Sequence, residues 1–136
     1  AIAVKASMTF IVPDANVTDE QLATIKSLFE ATGSCMKVEE KQLSSATVLA
    51  SCGIANATRY VRAASEGGVQ LGFKADMAKD IVLQTVKGAV ELLQASGKHP
   101  EEEIDKVTTP GGLTIRGLNT MEQNGFSNAV IQGLLA

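Results

Sequence analysis

The sequence predicts a mainly α-helical protein: a short α/β tail of a larger domain over residues 1–40, followed by an all-helical domain over residues 41–136. Three observations carry this. Strand-type segments occur only before Glu40. From Gln42 onward the apolar residues recur at helical spacing, without alternation. The segment from about Lys74 to Ala95 is apolar around much of its circumference, with Met77, Ile81, Val82, Val86, Val90 and Leu93 among its residues, and is expected to be buried on several sides.

Taken in order, Ser7 to Val12 reads as a strand ended by Pro13 and Asp14. Thr18 and Gln21 form a capping box for a helix whose apolar face holds Leu22, Ile25, Leu28 and Phe29. Gly33 is placed as the residue just past that helix, and Cys35 to Glu39 follow as a second strand. Two strands and one helix cannot cover both faces of a sheet, so the unit is expected to be the end of a longer α/β domain. A long helix follows from Gln42 to about Leu71, kinked at Gly53 and weakened near its end by Gly67, Gly68 and Gly72. Gly97 closes the next helix. Pro100 opens a short one, with Glu101, Glu102 and Glu103 favouring its positive end. Helices over Ile115 to Gln123 and Ser127 to Leu135 complete the chain.

Composition excludes several functions. Of the 136 residues, 45% are hydrophobic and 20% charged, which marks a globular chain and not a disordered one. The net charge of −3, with scattered basic residues, gives no footprint for nucleic acid. No apolar run approaches the roughly 20 residues that span a bilayer, and no signal peptide is evident. Two cysteines, Cys35 and Cys52, form no disulfide framework and point to a reducing, cytoplasmic compartment. Both are expected to be small buried hydrophobes. His99 reads as a solvated loop residue. The Cys, His and carboxylate spacings show no metal pattern, so no metal is expected.

The segment that carries chemistry is Val107 to Ile115. Thr108 and Thr109 precede Pro110, Gly111 and Gly112; Leu113 and Thr114 then lead into a helix. Hydroxyls and free backbone N–H groups at a helix N-terminus suit an anion such as a substrate carboxylate. Taken by itself the motif also fits a plain turn with a threonine cap.

The flanking sequence decides between them. Lys106 to Phe126 resembles the signature of pyrroline-5-carboxylate reductase, Val-x-Ser/Thr-Pro-Gly-Gly-x-Thr-Ile-x-x-Leu-x-x-Leu-Glu-x-x-Gly-Phe. Glu40 to Gly53 resembles the start of that family's long helix, and Gln84 to Leu93 and Gly97 to Pro100 match in order and spacing. The resemblance spans essentially the whole chain. It implies that residues 1–40 are the end of a Rossmann-type nucleotide-binding domain and that the rest is the helical dimerisation domain. There are departures. Where the family has Ser-Gly-Ser-Gly-Pro-Ala-Tyr, this chain has Ala50 to Asn56, with Ile54 for the Pro and Asn56 for the Tyr; Leu113 replaces a Thr or Ala. No Gly-x-Gly-x-x-Gly follows a strand anywhere in the chain.

The resemblance implies reduction of 1-pyrroline-5-carboxylate to proline with NADP or NAD as cofactor, bound by a domain preceding these residues, so that this chain alone is inactive. Thr109, Gly111, Gly112, Leu113 and Thr114 are the implied substrate-binding residues. The hydroxyl of Thr109 and the backbone N–H groups of Gly112, Leu113 and Thr114 would hold the carboxylate. Thr114 is the implied catalytic residue, facing the ring nitrogen. A Cβ at Gly112 is expected to crowd the carboxylate and to conflict with the backbone angle. The implied partner is a second copy, in a homodimer or a larger assembly of dimers. Two alternatives stay open: a helical dimerisation module without catalysis, and a related imine or β-hydroxyacid reductase.

Overall fold

The computed structural model describes residues 1–136, which form two compact units, Ala1–Ile54 and Ala55–Ala136. In the first, a 3₁₀ turn at Ile2–Val4 leads into strand β1 (Ser7–Ile11), helix α1 (Asp19–Glu30) and strand β2 (Gly33–Lys37). β1 and β2 pair in parallel with Ser7 opposite Gly33 and Ile11 opposite Lys37. The capping box forms as expected: the Thr18 hydroxyl accepts from the Gln21 N–H at 3.2 Å, and the Gln21 side chain accepts from the Thr18 N–H at 3.0 Å.

Gly33 is not the residue that ends α1. Ala31 is the C-cap, and Gly33 opens β2 at φ 150. The reason is a close approach: a Cβ there would overlap the backbone of Ser7, and that conformation suits glycine. The Ser7 hydroxyl donates to the Thr32 carbonyl at 2.7 Å and fixes the same corner.

After a 3₁₀ turn at Glu40–Gln42, the long helix comes in three pieces: α2 (Leu43–Thr47), a π turn (Val48–Cys52) and α3 (Gly53–Gln70). The irregularity expected at Gly53 is thus a π turn ending just before it, where the Gly53 N–H reaches back to the Val48 carbonyl. Ile54 and Asn56, the departures from the family pattern, lie in the turn that follows it. Cys52 is exposed on this turn, against the expectation of burial, and Cys35 is half-buried.

The second unit continues α3 and adds α4 (Ala75–Ser96), α5 (Pro100–Lys106), α6 (Leu113–Gln123) and α7 (Phe126–Leu135). α3 runs through Gly67 and Gly68 because a Cβ on Gly68 would come within 2.8 Å of the Ala78 Cβ; the glycine lets α4 pack close. Ala78 is 2% exposed. Gly97 ends α4 at φ 62, and its N–H donates to the Leu93 carbonyl at 3.0 Å. Pro100 takes the first position of α5. His99 is the cap of α5 and not a plain loop residue: its Nδ1 accepts from the Glu101 N–H at 3.3 Å. Tyr60 and Phe126 meet edge to face at 6.4 Å, joining α3 to α7.

The apolar faces are largely uncovered. Ala46 and Ala78 are the only buried apolar residues. α4 is not buried on several sides: Met77, Ile81, Leu83, Val90 and Leu92 are all exposed, Ile81 at 47%. The chain exposes 10538 Å². A compact 14.2 kDa monomer exposes about 6,800 Å², and two separate compact units of these sizes about 8,100 Å². More than about 2,000 Å² of surface therefore has no cover within the chain. No helix is long and apolar enough to cross a membrane.

Candidate functional site: the turn before α6

The corner is built from both sides. α5 ends at Lys106, and the chain leaves it through two more bonds: Thr108 N–H to the Asp105 carbonyl at 3.2 Å and the Thr108 hydroxyl to the Ile104 carbonyl at 2.7 Å. Thr109, Pro110, Gly111 and Gly112 then form a tight turn, closed by the Gly112 N–H on the Thr109 carbonyl at 2.9 Å. Pro110 presets the second position, and Gly111 supplies the left-handed φ of 69 at the third, the arrangement of a type II turn.

α6 begins at once. Its cap is Gly112, with no side-chain bond, so the reading in which a threonine caps this helix does not describe the structure. The leading N–H groups of Leu113 and Thr114 find no backbone acceptor outside the helix, and the first turn of a helix offers none within it. The hydroxyls of Thr109 and Thr114 make no hydrogen bond within the chain. That sets Thr114 apart from Thr24, Thr47, Thr85 and Thr120, each of which donates to the carbonyl four residues earlier. Four residues before Thr114 lies Pro110, in the turn.

Two details of the sequence-based picture change. The Gly112 N–H is engaged in closing the turn, which leaves Leu113 and Thr114 as the donors at the helix start. Gly112 has φ −69 and ψ 173, extended values open to any residue, so no backbone angle demands glycine there. What a Cβ would meet is the Thr109 side chain, which curls over Gly112. The left-handed requirement belongs to Gly111.

Two residues passed over in the sequence matter here. Arg116 directs its Nη2 to the Gly111 carbonyl at 3.4 Å, and it is the one cationic side chain between Val107 and Phe126. The signal was a basic residue in the first turn of a helix, where acidic residues are the rule. Glu122 accepts from both the N–H and the hydroxyl of Ser127, at 3.3 Å for the N–H, and so caps α7. Leu113 is 84% exposed, so the corner is open to solvent. Two free donors, two free hydroxyls and a guanidinium make a site for a small anion. No cluster of His, Cys, Asp or Glu is arranged to hold a metal.

A helical domain with uncovered apolar faces and a donor-rich turn at the start of α6 has the makings of a domain that pairs with another copy. Residues 40–136 match the family model described as pyrroline-5-carboxylate reductase dimerisation. The chain belongs to that family. It is 47% identical over 123 residues to pyrroline-5-carboxylate reductase 1 of Dictyostelium discoideum, covering 90% of this chain and 22% of the relative. It is 37% identical to pyrroline-5-carboxylate reductase of Synechocystis, covering 98% of this chain and 50% of the relative. The chain thus spans half or less of these curated relatives. Its fold matches a crystal structure of Plasmodium falciparum pyrroline carboxylate reductase with NADP bound, at TM-score 0.88 and 27% identity, covering 96% of this chain and 50% of that one. It also matches the pyrroline-5-carboxylate reductase of Coxiella burnetii, at TM-score 0.93 and 25% identity, covering 98% of this chain and 50% of that one.

Proposed function

We propose that this chain is the substrate-binding and dimerisation part of a cytoplasmic pyrroline-5-carboxylate reductase, which reduces 1-pyrroline-5-carboxylate to proline with NADPH or NADH. In this reading residues 1–40 close a nucleotide-binding domain and residues 41–136 form the dimerisation domain. The nicotinamide supplies the hydride, as the relative from Plasmodium falciparum with NADP bound suggests. This chain has no glycine fingerprint to hold a dinucleotide, so its own part lies with the substrate.

The observation that carries the reading is the pair of free donors at Leu113 and Thr114 beside two free threonine hydroxyls, at the segment with the family signature. The substrate carboxylate sits on those N–H groups and takes a further bond from the Thr109 hydroxyl. Pro110 and Gly111 fix the turn that presents them. The Thr114 hydroxyl faces the ring nitrogen. A carboxylate held by donors fixed in advance orients the C=N bond toward the hydride donor. The guanidinium of Arg116 adds positive field without competing for a donor position.

The uncovered faces of α4 and α7 support a homodimer with an obligate-size interface, and the matched family is a dimerisation domain. The test is to mix the full-length protein with 1-pyrroline-5-carboxylate and NADPH or NADH. Cofactor oxidation with proline as product is expected. A dimeric protein that neither consumes cofactor nor forms proline would mark a dimerisation module without catalysis.

A further inference from the structure

Leu113 is the most exposed large apolar side chain of the chain, at 84%, and it stands at the first position of α6. No packing within the chain accounts for a leucine there. Its own N–H is one of the two free donors at the helix start. The direction of its side chain follows from helix geometry. Along an α-helix the Cα–Cβ bonds tilt toward the N-terminus, so a side chain covers the turn before its own. Before Leu113 there is no helical turn, only the tight turn Thr109–Gly112, and its exposure shows that it is not folded against that turn. The isobutyl group therefore borders the space into which the N–H groups of Leu113 and Thr114 point. That space is open: a Cβ on Gly111 would meet nothing within 4 Å. Thr114 follows about 100° further around the helix axis. The start of α6 thus offers two backbone donors, with an apolar group to one side and a free hydroxyl to the other.

The substrate class has the same asymmetry. The carbon that bears its carboxylate has the imine nitrogen on one side and a ring methylene on the other. With the carboxylate on the two N–H groups and the nitrogen at the Thr114 hydroxyl, the methylene edge falls to Leu113. We propose that Leu113 is a specificity-determining residue, packing on the methylene edge of the ring and setting the ring size that the site accepts. This rests on the function proposed above. The ring is held at two points, its carboxylate and its nitrogen, so an added ring atom can extend only along the methylene edge. There it meets the isobutyl group. An apolar wall of this kind discriminates one methylene by about 10- to 200-fold.

The experiment uses the full-length enzyme as wild type, Leu113→Ala and Leu113→Met. The assay gives kcat/KM for 1-pyrroline-5-carboxylate and for its six-membered homologue, 1-piperideine-6-carboxylate. The wild type should prefer the five-membered ring by about tenfold or more. Leu113→Ala keeps both backbone donors and removes the wall. Its preference should shrink to within about threefold, by a loss on the smaller ring and a gain on the larger. Leu113→Met, of similar volume, should keep the preference. A wild type that does not distinguish the rings, or a preference unchanged in Leu113→Ala, would overturn the role of Leu113 and leave the proposed function standing. An unchanged preference with a lower thermal midpoint is the result expected if Leu113 serves only to pack against another domain or a second copy. A wild type that reduces neither ring overturns both.

Discussion

Thr114→Ala separates a substrate contact from a structural one. The structure gives Thr114 no structural bond to lose: it is not the cap of α6, and its hydroxyl has no partner in the chain. Alanine is also the better helix former, by a few tenths of a kcal/mol. The fold should therefore be as stable as before or slightly more so, with a thermal midpoint unchanged or raised. The backbone N–H survives the substitution, so the carboxylate stays held. What is lost is one hydrogen bond to a charged ligand, about 1.5–3 kcal/mol. That corresponds to a fall in kcat/KM of roughly tenfold to 150-fold. The assay is steady-state reduction of 1-pyrroline-5-carboxylate by the full-length enzyme, beside thermal unfolding of the same sample. Thr114→Ser keeps the hydroxyl and should retain most of the activity. If Thr114→Ala unfolds earlier and turns over normally, or if the serine variant is as poor as the alanine one, the residue serves the helix and the reasoning fails.

Other consequences follow from the same geometry. Gly112→Val drives a side chain into that of Thr109, so KM for the carboxylate substrate should rise by more than in Thr114→Ala while the protein stays folded by circular dichroism. Ile81→Glu places a charge on the uncovered face of α4; sedimentation at micromolar concentration should show monomer where the wild type is a dimer. NADPH titrated into residues 1–136 alone should give no specific binding, because the chain has no glycine fingerprint; micromolar affinity would contradict this. Glu103, hydrogen-bonded by the Lys106 ammonium, titrates lower when folded than when unfolded. The stability it contributes is therefore present above the ordinary glutamate range and is lost as the pH falls through its lowered value. Thermal midpoints on descending into acid should drop more steeply for the wild type than for Glu103→Gln.

Local chemistry was the most legible part of the sequence. The Thr18–Gln21 capping box, Pro100 at the head of α5 and the left-handed Gly97 each depend on residues within a few positions, and each formed as expected. What failed depended on distant partners. Gly33 resembles a helix terminator until the Ser7 backbone is seen against it. Gly68 weakens a helix on paper, yet Ala78 requires it. The apolar girth of α4 was read correctly as a demand for burial, but nothing within the chain meets that demand. At the candidate site, the signature located the corner but could not say which N–H groups were free. That depended on the turn type, which engages Gly112 and leaves Leu113 and Thr114. Arg116 escaped notice because a single charge in a helix carries no pattern until its partners are placed, and Glu103, expected with Glu101 and Glu102 as part of a solvated helix start, is instead buried.

The claim on which the account stands is that the turn before α6 holds a substrate carboxylate. The most direct measurement compares kcat/KM of the full-length enzyme for 1-pyrroline-5-carboxylate and for 1-pyrroline. Loss of a carboxylate held by two backbone donors and a hydroxyl should lower kcat/KM by on the order of a hundredfold or more, and Thr109→Ala should narrow that gap. Equal efficiency on the two substrates, unaffected by Thr109→Ala, would show that no carboxylate is bound at this turn.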